Sequence, residues 1–164
     1  MTWKDLLKNQ RVKPHQTSHE ELHDLRAVVE RDLKDAKLDQ LSADRRFATA
    51  YNAVLQLTKM AIACEGYRAT GLGHHQTTFE ALGLAMGKQV SGLVPYWDAC
   101  RRKRNHVDYD MANAASETEA EELIAKASEF QQLVEDWIRP PGNLVLNPRR
   151  PASGHAQIYI TPLL

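Results

Sequence analysis

The densest chemistry in the sequence lies in one run, Arg101-Arg102-Lys103-Arg104-Asn105-His106-Val107-Asp108-Tyr109-Asp110. Four consecutive cations are followed two positions later by an imidazole. A guanidinium offers a planar fork of donors to a phosphate or carboxylate, and a histidine exchanges a proton near neutral pH. On a helix, Arg102, His106 and Tyr109 share one face by i, i+4, i+7 spacing, while Arg101, Arg104, Asn105 and Asp108 share another. The second face continues an apolar stripe from Val94 and Trp97, so Arg101 and Arg104 lean toward packed surface. Inward cations are costly unless they are paired or bind an anion. The plain alternative is a solvated basic face at a helix C-terminus, where cations suit the dipole.

Two other constellations invite chemistry. His19-Glu20-Glu21-Leu22-His23 matches H-E-x-x-H, which on a zinc-protease helix gives two metal ligands and a general base. His15 extends the row at the same spacing. The match starts at a helix N-cap, however, and no third-ligand motif follows. Glu20 and Glu21 have a simpler role as first-turn acids facing the helix dipole. No metal and no cofactor are expected. Gly71-Leu72-Gly73-His74-His75 places glycines ahead of a helix, where backbone amides can cradle phosphate. It reads more simply as a tight turn with His74 near an N-cap.

The elements that position these groups are helical. The chain has 164 residues, 43% hydrophobic and 26% charged, enough apolar material for one domain with a real core. Lys plus Arg and Asp plus Glu both number 21, so bulk charge draws it to neither nucleic acid nor anionic membrane; any such binding needs a local patch. Cys64 and Cys100 read as reduced thiols. Met1-Thr2-Trp3-Lys4-Asp5 lacks the apolar run of a signal peptide, and no stretch is long enough to span a bilayer. The expectation is a cytoplasmic protein without membrane contact.

Ser18 and Glu21 form an S-x-x-E capping pattern, followed by Leu22, Leu25, Val29 and Leu33 on one face. Ser42 caps a second helix with Phe47, Tyr51, Val54, Thr58 and Ala61 as its buried stripe and Gly66 as its stop. Its alanines let neighbours approach closely, which places it centrally. A shorter helix runs from about His74 to Met86. The next spans about Ser91 to Tyr109, with Pro95 tolerable only in the first turn. Ser116 and Glu119 cap the last, whose stripe is Leu123, Ala127, Phe130, Val134 and Trp137, ended by Pro140-Pro141-Gly142. The expected fold is all-α: an antiparallel bundle of four long helices plus one short helix in residues 1–138, with a Pro-containing C-terminal extension, 139–164. Within that extension, residues 156–160 form one extended apolar run.

This layout, with the Arg-x4-His spacing of Arg101 and His106, resembles the HEPN domain family (higher eukaryotes and prokaryotes nucleotide-binding). Tyr51-Asn52-Ala53, Gly66-Tyr67-Arg68, Gly73-His74-His75 and Tyr109-Asp110 support the likeness, which covers roughly Ser18 to Trp137. Many family members are RNases of toxin–antitoxin, phage-defence and CRISPR systems; others bind nucleotides or a nucleotidyltransferase partner without cutting. The resemblance implies a metal-independent endoribonuclease with Arg101 and His106 as the catalytic pair and Arg102, Arg104, Asn105, Asp108 and Tyr109 around them. A second register pairs Arg104 with Asn105 as its polar residue and sets Tyr109 where the family has histidine, which implies a non-cleaving member. RNA or a nucleotide is the implied ligand, a homodimer pairing the motif helices the implied assembly, and a nucleotidyltransferase or antitoxin the implied partner. In the cleaving form, RNA supplies its 2′-hydroxyl as nucleophile, the imidazole moves the proton, and the guanidinium stabilises the phosphorane.

Replacing His19 and His23 together by Ala is expected to leave the melting temperature unchanged in metal-free buffer. Stoichiometric zinc surviving purification without a His tag would contradict this.

Overall fold

Three serines start three of the long helices. Ser18, Ser42 and Ser116 accept from the amides of Glu21 (3.1 Å), Arg45 (3.3 Å) and Glu119 (3.1 Å), each satisfying a donor that a helix start leaves open. The computed structural model describes residues 1–109 and 111–139. Their order is α1 (Trp3–Lys8), β1 (Val12–Pro14), α2 (His19–Ala36), α3 (Ala43–Cys64), β2 (Tyr67–Ala69), α4 (His74–Met86), a 3-10 turn (Gly87–Val90), α5 (Leu93–Tyr109) and α6 (Glu117–Ile138). The structure is mostly helical. Residues 140–164, which hold nearly all of the expected C-terminal extension and its apolar run, lie outside the described residues, as does Asp110.

Helix α3 sits centrally, with α2, α4, α5 and α6 all packed on it. Phe47, Tyr51, Val54, Trp97, Phe130, Val134 and Trp137 are buried as the stripes predict. Trp97 lies against Phe130 with ring centroids 5.4 Å apart, which ties α5 to α6. The helix ends are held by polar contacts. Arg46 donates to the Ala36 carbonyl (2.9 Å) and to Glu117 (2.8 Å), joining the end of α2 and the starts of α3 and α6. Asp44 accepts from the amides of Asn113 (2.6 Å) and Ala115 (2.8 Å), fixing the loop after α5. Arg26 grips Glu135 through two donors, linking α2 to the last turns of α6. Pro95 is the third residue of α5, where no helical partner for its missing N–H is needed.

Residues ahead of Ser18 depart from the expected pattern. They form α1 and β1, and β1 pairs antiparallel with β2: Val12 with Ala69, Lys13 with Arg68, Pro14 with Tyr67. Pro14 is admissible because a two-stranded sheet has only edge strands. A second, smaller core forms here from Trp3, Leu6, Val12, Ile62, Tyr67 and Ala81. Trp3 stacks on Tyr67 at 4.4 Å. The capping box at Ser18 is half formed. The Glu21 carboxylate turns away from its own helix start and accepts from His15 Nε2 (2.8 and 2.9 Å) and the Thr17 hydroxyl (2.7 Å), which anchors β1 to α2.

Trp137→Ala is expected to cost about 3–5 kcal/mol, the range for truncating a buried aromatic. A urea midpoint within error of wild type would show that α6 does not depend on this side chain.

Candidate functional site

Tyr51 lies two turns into α3, in the middle of its buried stripe. The chain leaves α3 through Gly66, runs back as β2, and re-enters the helical layer at His74. That return carries the first turn of α4 to the level of Tyr51. His75 Nδ1 then lies 3.2 Å from the Tyr51 hydroxyl, and Phe79, one turn on, meets the Tyr51 ring edge-on at 6.0 Å. From the other side α5 lays Arg104 over the same ring, its guanidinium carbon 5.8 Å from the centroid. Such stacking holds the guanidinium in place through the ring's quadrupole.

One turn earlier on α5, Arg101 Nε donates to Asp98 Oδ1 (2.8 Å) and its side chain is 20% exposed. Arg102 binds the other oxygen of Asp98 but is 62% exposed. One carboxylate therefore serves two guanidiniums. Lys59, a little over two turns beyond Tyr51 on α3, adds a third cation to Arg101 and Arg104 within range of His75. Burial lowers the pKa of Lys59, and no ion pair to it is found among the described residues. Lys59, Arg101 and Arg104 thus all act on His75 at the cleft where α3, α4 and α5 meet, and Asp98 pairs with Arg101.

Protonation follows from burial first and these charges second. Burial, reinforced by His74, Arg104, Lys59 and Arg101, lowers the pKa of His75 from 6.5 to about 4, so its ring is neutral at pH 7. Burial pushes the Tyr51 phenol far above its ordinary range, only partly opposed by Arg104 and Arg101, so it keeps its proton. When His75 Nδ1–H donates to the Tyr51 oxygen, Nε2 keeps a free lone pair; when the phenol donates, Nε2 carries the hydrogen. The cleft thus combines a neutral imidazole with fixed cations, an arrangement suited to an anion that also carries an exchangeable proton.

The sequence-predicted residues divide between two environments. Arg101 and Arg104 enter the cleft. Arg102, Asn105 and His106 are exposed. Five helical residues turn the side chain by about 140°, so Arg101 and His106 leave α5 in different directions. Lys103 is held by Glu119 of α6. The side chains of Asp108 and Tyr109, which the second register uses, lie outside the described residues. His75, Tyr51, Lys59 and Asp98 were not named as site residues from the sequence. Tyr51 and Gly73-His74-His75 were visible only as separate features, and their meeting depends on the return through β2.

The H-E-x-x-H segment holds no comparable arrangement. Glu21 is engaged by His15 and Thr17, while His19 and His23 are exposed. Among the described residues no group of three or more His, Cys, Asp or Glu side chains is disposed to hold a metal ion. Cys64 and Cys100 are buried free thiols whose pKa values burial pushes up to about 12 and about 11. No described helix is long and apolar enough to cross a membrane. Comparison with protein-family models, with curated proteins and with solved structures finds no match.

His75 is expected to titrate near pH 4 by NMR, and Arg104→Ala should raise that midpoint by removing a cation that opposes protonation. Because the unfolded ring binds a proton near 6.5 while the folded ring stays neutral to about 4, this group makes folding stability fall as pH drops through that window. A wild-type midpoint near 6.5, unmoved by Arg104→Ala, would contradict the cleft electrostatics.

Proposed function

We propose that this chain is a HEPN-type helical protein, an antiparallel bundle acting in the cytoplasm, that binds RNA at the α3–α4–α5 cleft and cleaves it without a metal. The observation that carries this reading is the convergence of a neutral imidazole, His75, on the Tyr51 hydroxyl with Arg104 laid over the same ring and Arg101 one turn away. A phosphodiester fits such a set of donors. Arg104, positioned on the Tyr51 ring, and Arg101 hold the non-bridging oxygens and stabilise the charge that grows on the phosphorane.

The adjacent 2′-hydroxyl gives its proton to His75 Nε2 while Nδ1–H donates to the Tyr51 oxygen. The 2′-oxygen bonds to phosphorus, the bond from phosphorus to the 5′-oxygen breaks, and the products are a 2′,3′-cyclic phosphate and a 5′-hydroxyl. The leaving oxygen takes a proton from water or from His106 of a second copy. Binding of the anion offsets the field of the three cations, which raises the His75 pKa toward the range where a base works best at neutral pH.

His106 acts in this scheme through a homodimer. It stands on the exposed face of α5 with Arg102 and Asn105, and the scheme requires a two-fold interface in which this face of one protomer meets the cleft of the other. A toxin-like role in a toxin–antitoxin or phage-defence system follows from the same resemblance.

One observation favours a second reading. Arg101 and Arg102 both bind Asp98, and the imidazole beside them is a weak base while the cleft is empty of anion. A non-catalytic module that senses a nucleotide, or docks a small nucleotidyltransferase or an antitoxin, needs the phosphate site but no strong base.

Purified protein incubated with RNA in EDTA separates the two. Cleavage is expected, with Arg104→Ala lowering the rate about 10²- to 10³-fold, the loss typical of one transition-state donor. His75→Ala should lower it comparably, while His106→Ala should matter only where the protein is dimeric by light scattering. RNA binding without cleavage, abolished by Arg104→Ala, would select the binding module. RNA neither bound nor cut would dismiss both.

A further inference from the structure

The start of α4 lacks what starts α2, α3 and α6. Its N-cap is Gly73, in the left-handed region at φ +74, and no side chain caps its open amides. It is held instead from the N-terminal segment. Arg11 Nε and Nη2 both donate to the Thr77 hydroxyl (3.2 and 3.0 Å), and Nη2 pairs with Glu80 Oε2 at 2.6 Å. Thr77 is buried, and the other Glu80 oxygen accepts from Gln76. The Arg11 backbone secures the far end of the same turn, its carbonyl accepting from the Thr70 amide at 2.9 Å. Just ahead of it, Gln10 has φ +54, uncommon for a residue with a side chain, and its carbonyl accepts from the Thr70 hydroxyl at 2.7 Å. Two helical residues turn the side chain by about 200°, so Thr77 meets Arg11 on one side of α4 while His75 meets Tyr51 on the other.

We propose that Arg11 is a positioning residue for His75: by clasping both ends of the turn between β2 and α4, it holds the imidazole against the Tyr51 hydroxyl. The inference rests on the reading above only for the reaction that the imidazole serves; the placement itself needs no ligand. A planar guanidinium with several donors in use fixes an orientation as well as a distance. The turn it spans contains Gly71 and Gly73, around which a Cβ would meet nothing within 4 Å, so the turn itself offers the start of α4 little support. The groups acting on His75 come from three elements: Tyr51 and Lys59 on α3, His74 on α4, and Arg101 and Arg104 on α5. Burial is the largest reason that the ring resists protonation. Release of α4 returns water to the ring, so its midpoint should climb from about 4 toward 6.5.

NMR titration of the His75 ring in the full chain, without RNA, tests the placement. Arg11→Ala and Thr77→Val are each expected to raise the midpoint by about one pH unit or more, as a desolvated group regains water. Thr77→Val keeps the shape of the side chain and changes no charge, so its shift reads position alone. Lys13→Ala removes an exposed cation two residues along the chain and should leave the midpoint where it is. A midpoint unmoved by Thr77→Val would overturn the proposal, whether Arg11→Ala fails to fold or shifts the midpoint through loss of its charge. An equal shift from Lys13→Ala would overturn it as well. With RNA, Thr77→Val is expected to lower kcat about tenfold while KM stays within about twofold, the effect of a misplaced group on the chemical step. A shifted midpoint with RNA cleavage unchanged, or with a wild type that cuts no RNA, would dismiss His75 as the base and leave its placement by Arg11 standing.

Discussion

Helix α3 has to be covered on more than one side. Fourteen of its 22 residues are buried, more than a one-sided amphipathic helix places inward. Ala50, Ala53 and Ala61 keep its surface low, so α2, α4, α5 and α6 can all lie against it. Covering its C-terminal half takes the second core, in which Ile62 meets Trp3, Leu6 and Tyr67 and the β1–β2 pair closes the edge. The course of the chain after α3 follows from this. It cannot leave directly into α5; it turns back along β2 and lays α4 beside Tyr51.

The electrostatics of the cleft are a consequence of that packing. Tyr51 is fixed by its neighbours on α3, so the ring that supports Arg104 does not move with the loop. His75 is pressed against the phenol and loses much of its water, which is the largest reason its proton affinity falls. The same desolvation acts on Lys59. Asp98, which accepts from Arg101 and Arg102, offsets part of the cost of holding charge in poor solvent.

Local signals made much of this fold legible. The serine caps at Ser18, Ser42 and Ser116 and the stripes through Phe47, Tyr51, Trp97 and Trp137 depend on neighbours three or four residues away, and the structure carries them. The basic run on α5 was equally plain. What escaped the sequence was set by distant partners. Val12 has no alternating run to mark it as a strand; its strand exists because Ala69 faces it. Glu21 looked like half of a capping box until His15 and Thr17 came within reach. His75 looked like part of a turn, since nothing in its surroundings along the chain announces Tyr51 or Arg104. His106, the obvious histidine beside the cations, is exposed, while Arg101 is only 20% exposed and paired with Asp98, a difference in surroundings that spacing along the helix does not reveal.

The central claim is that the α3–α4–α5 cleft, and not the exposed face of α5, receives the RNA phosphate. Amide and side-chain NMR shifts on titration with a 2′-O-methyl oligoribonucleotide test it most directly. The account predicts the largest changes at Tyr51, His75, Arg101 and Arg104, with Arg104→Ala abolishing them. Changes confined to Arg102, Asn105 and His106, with His75 unmoved, would contradict it.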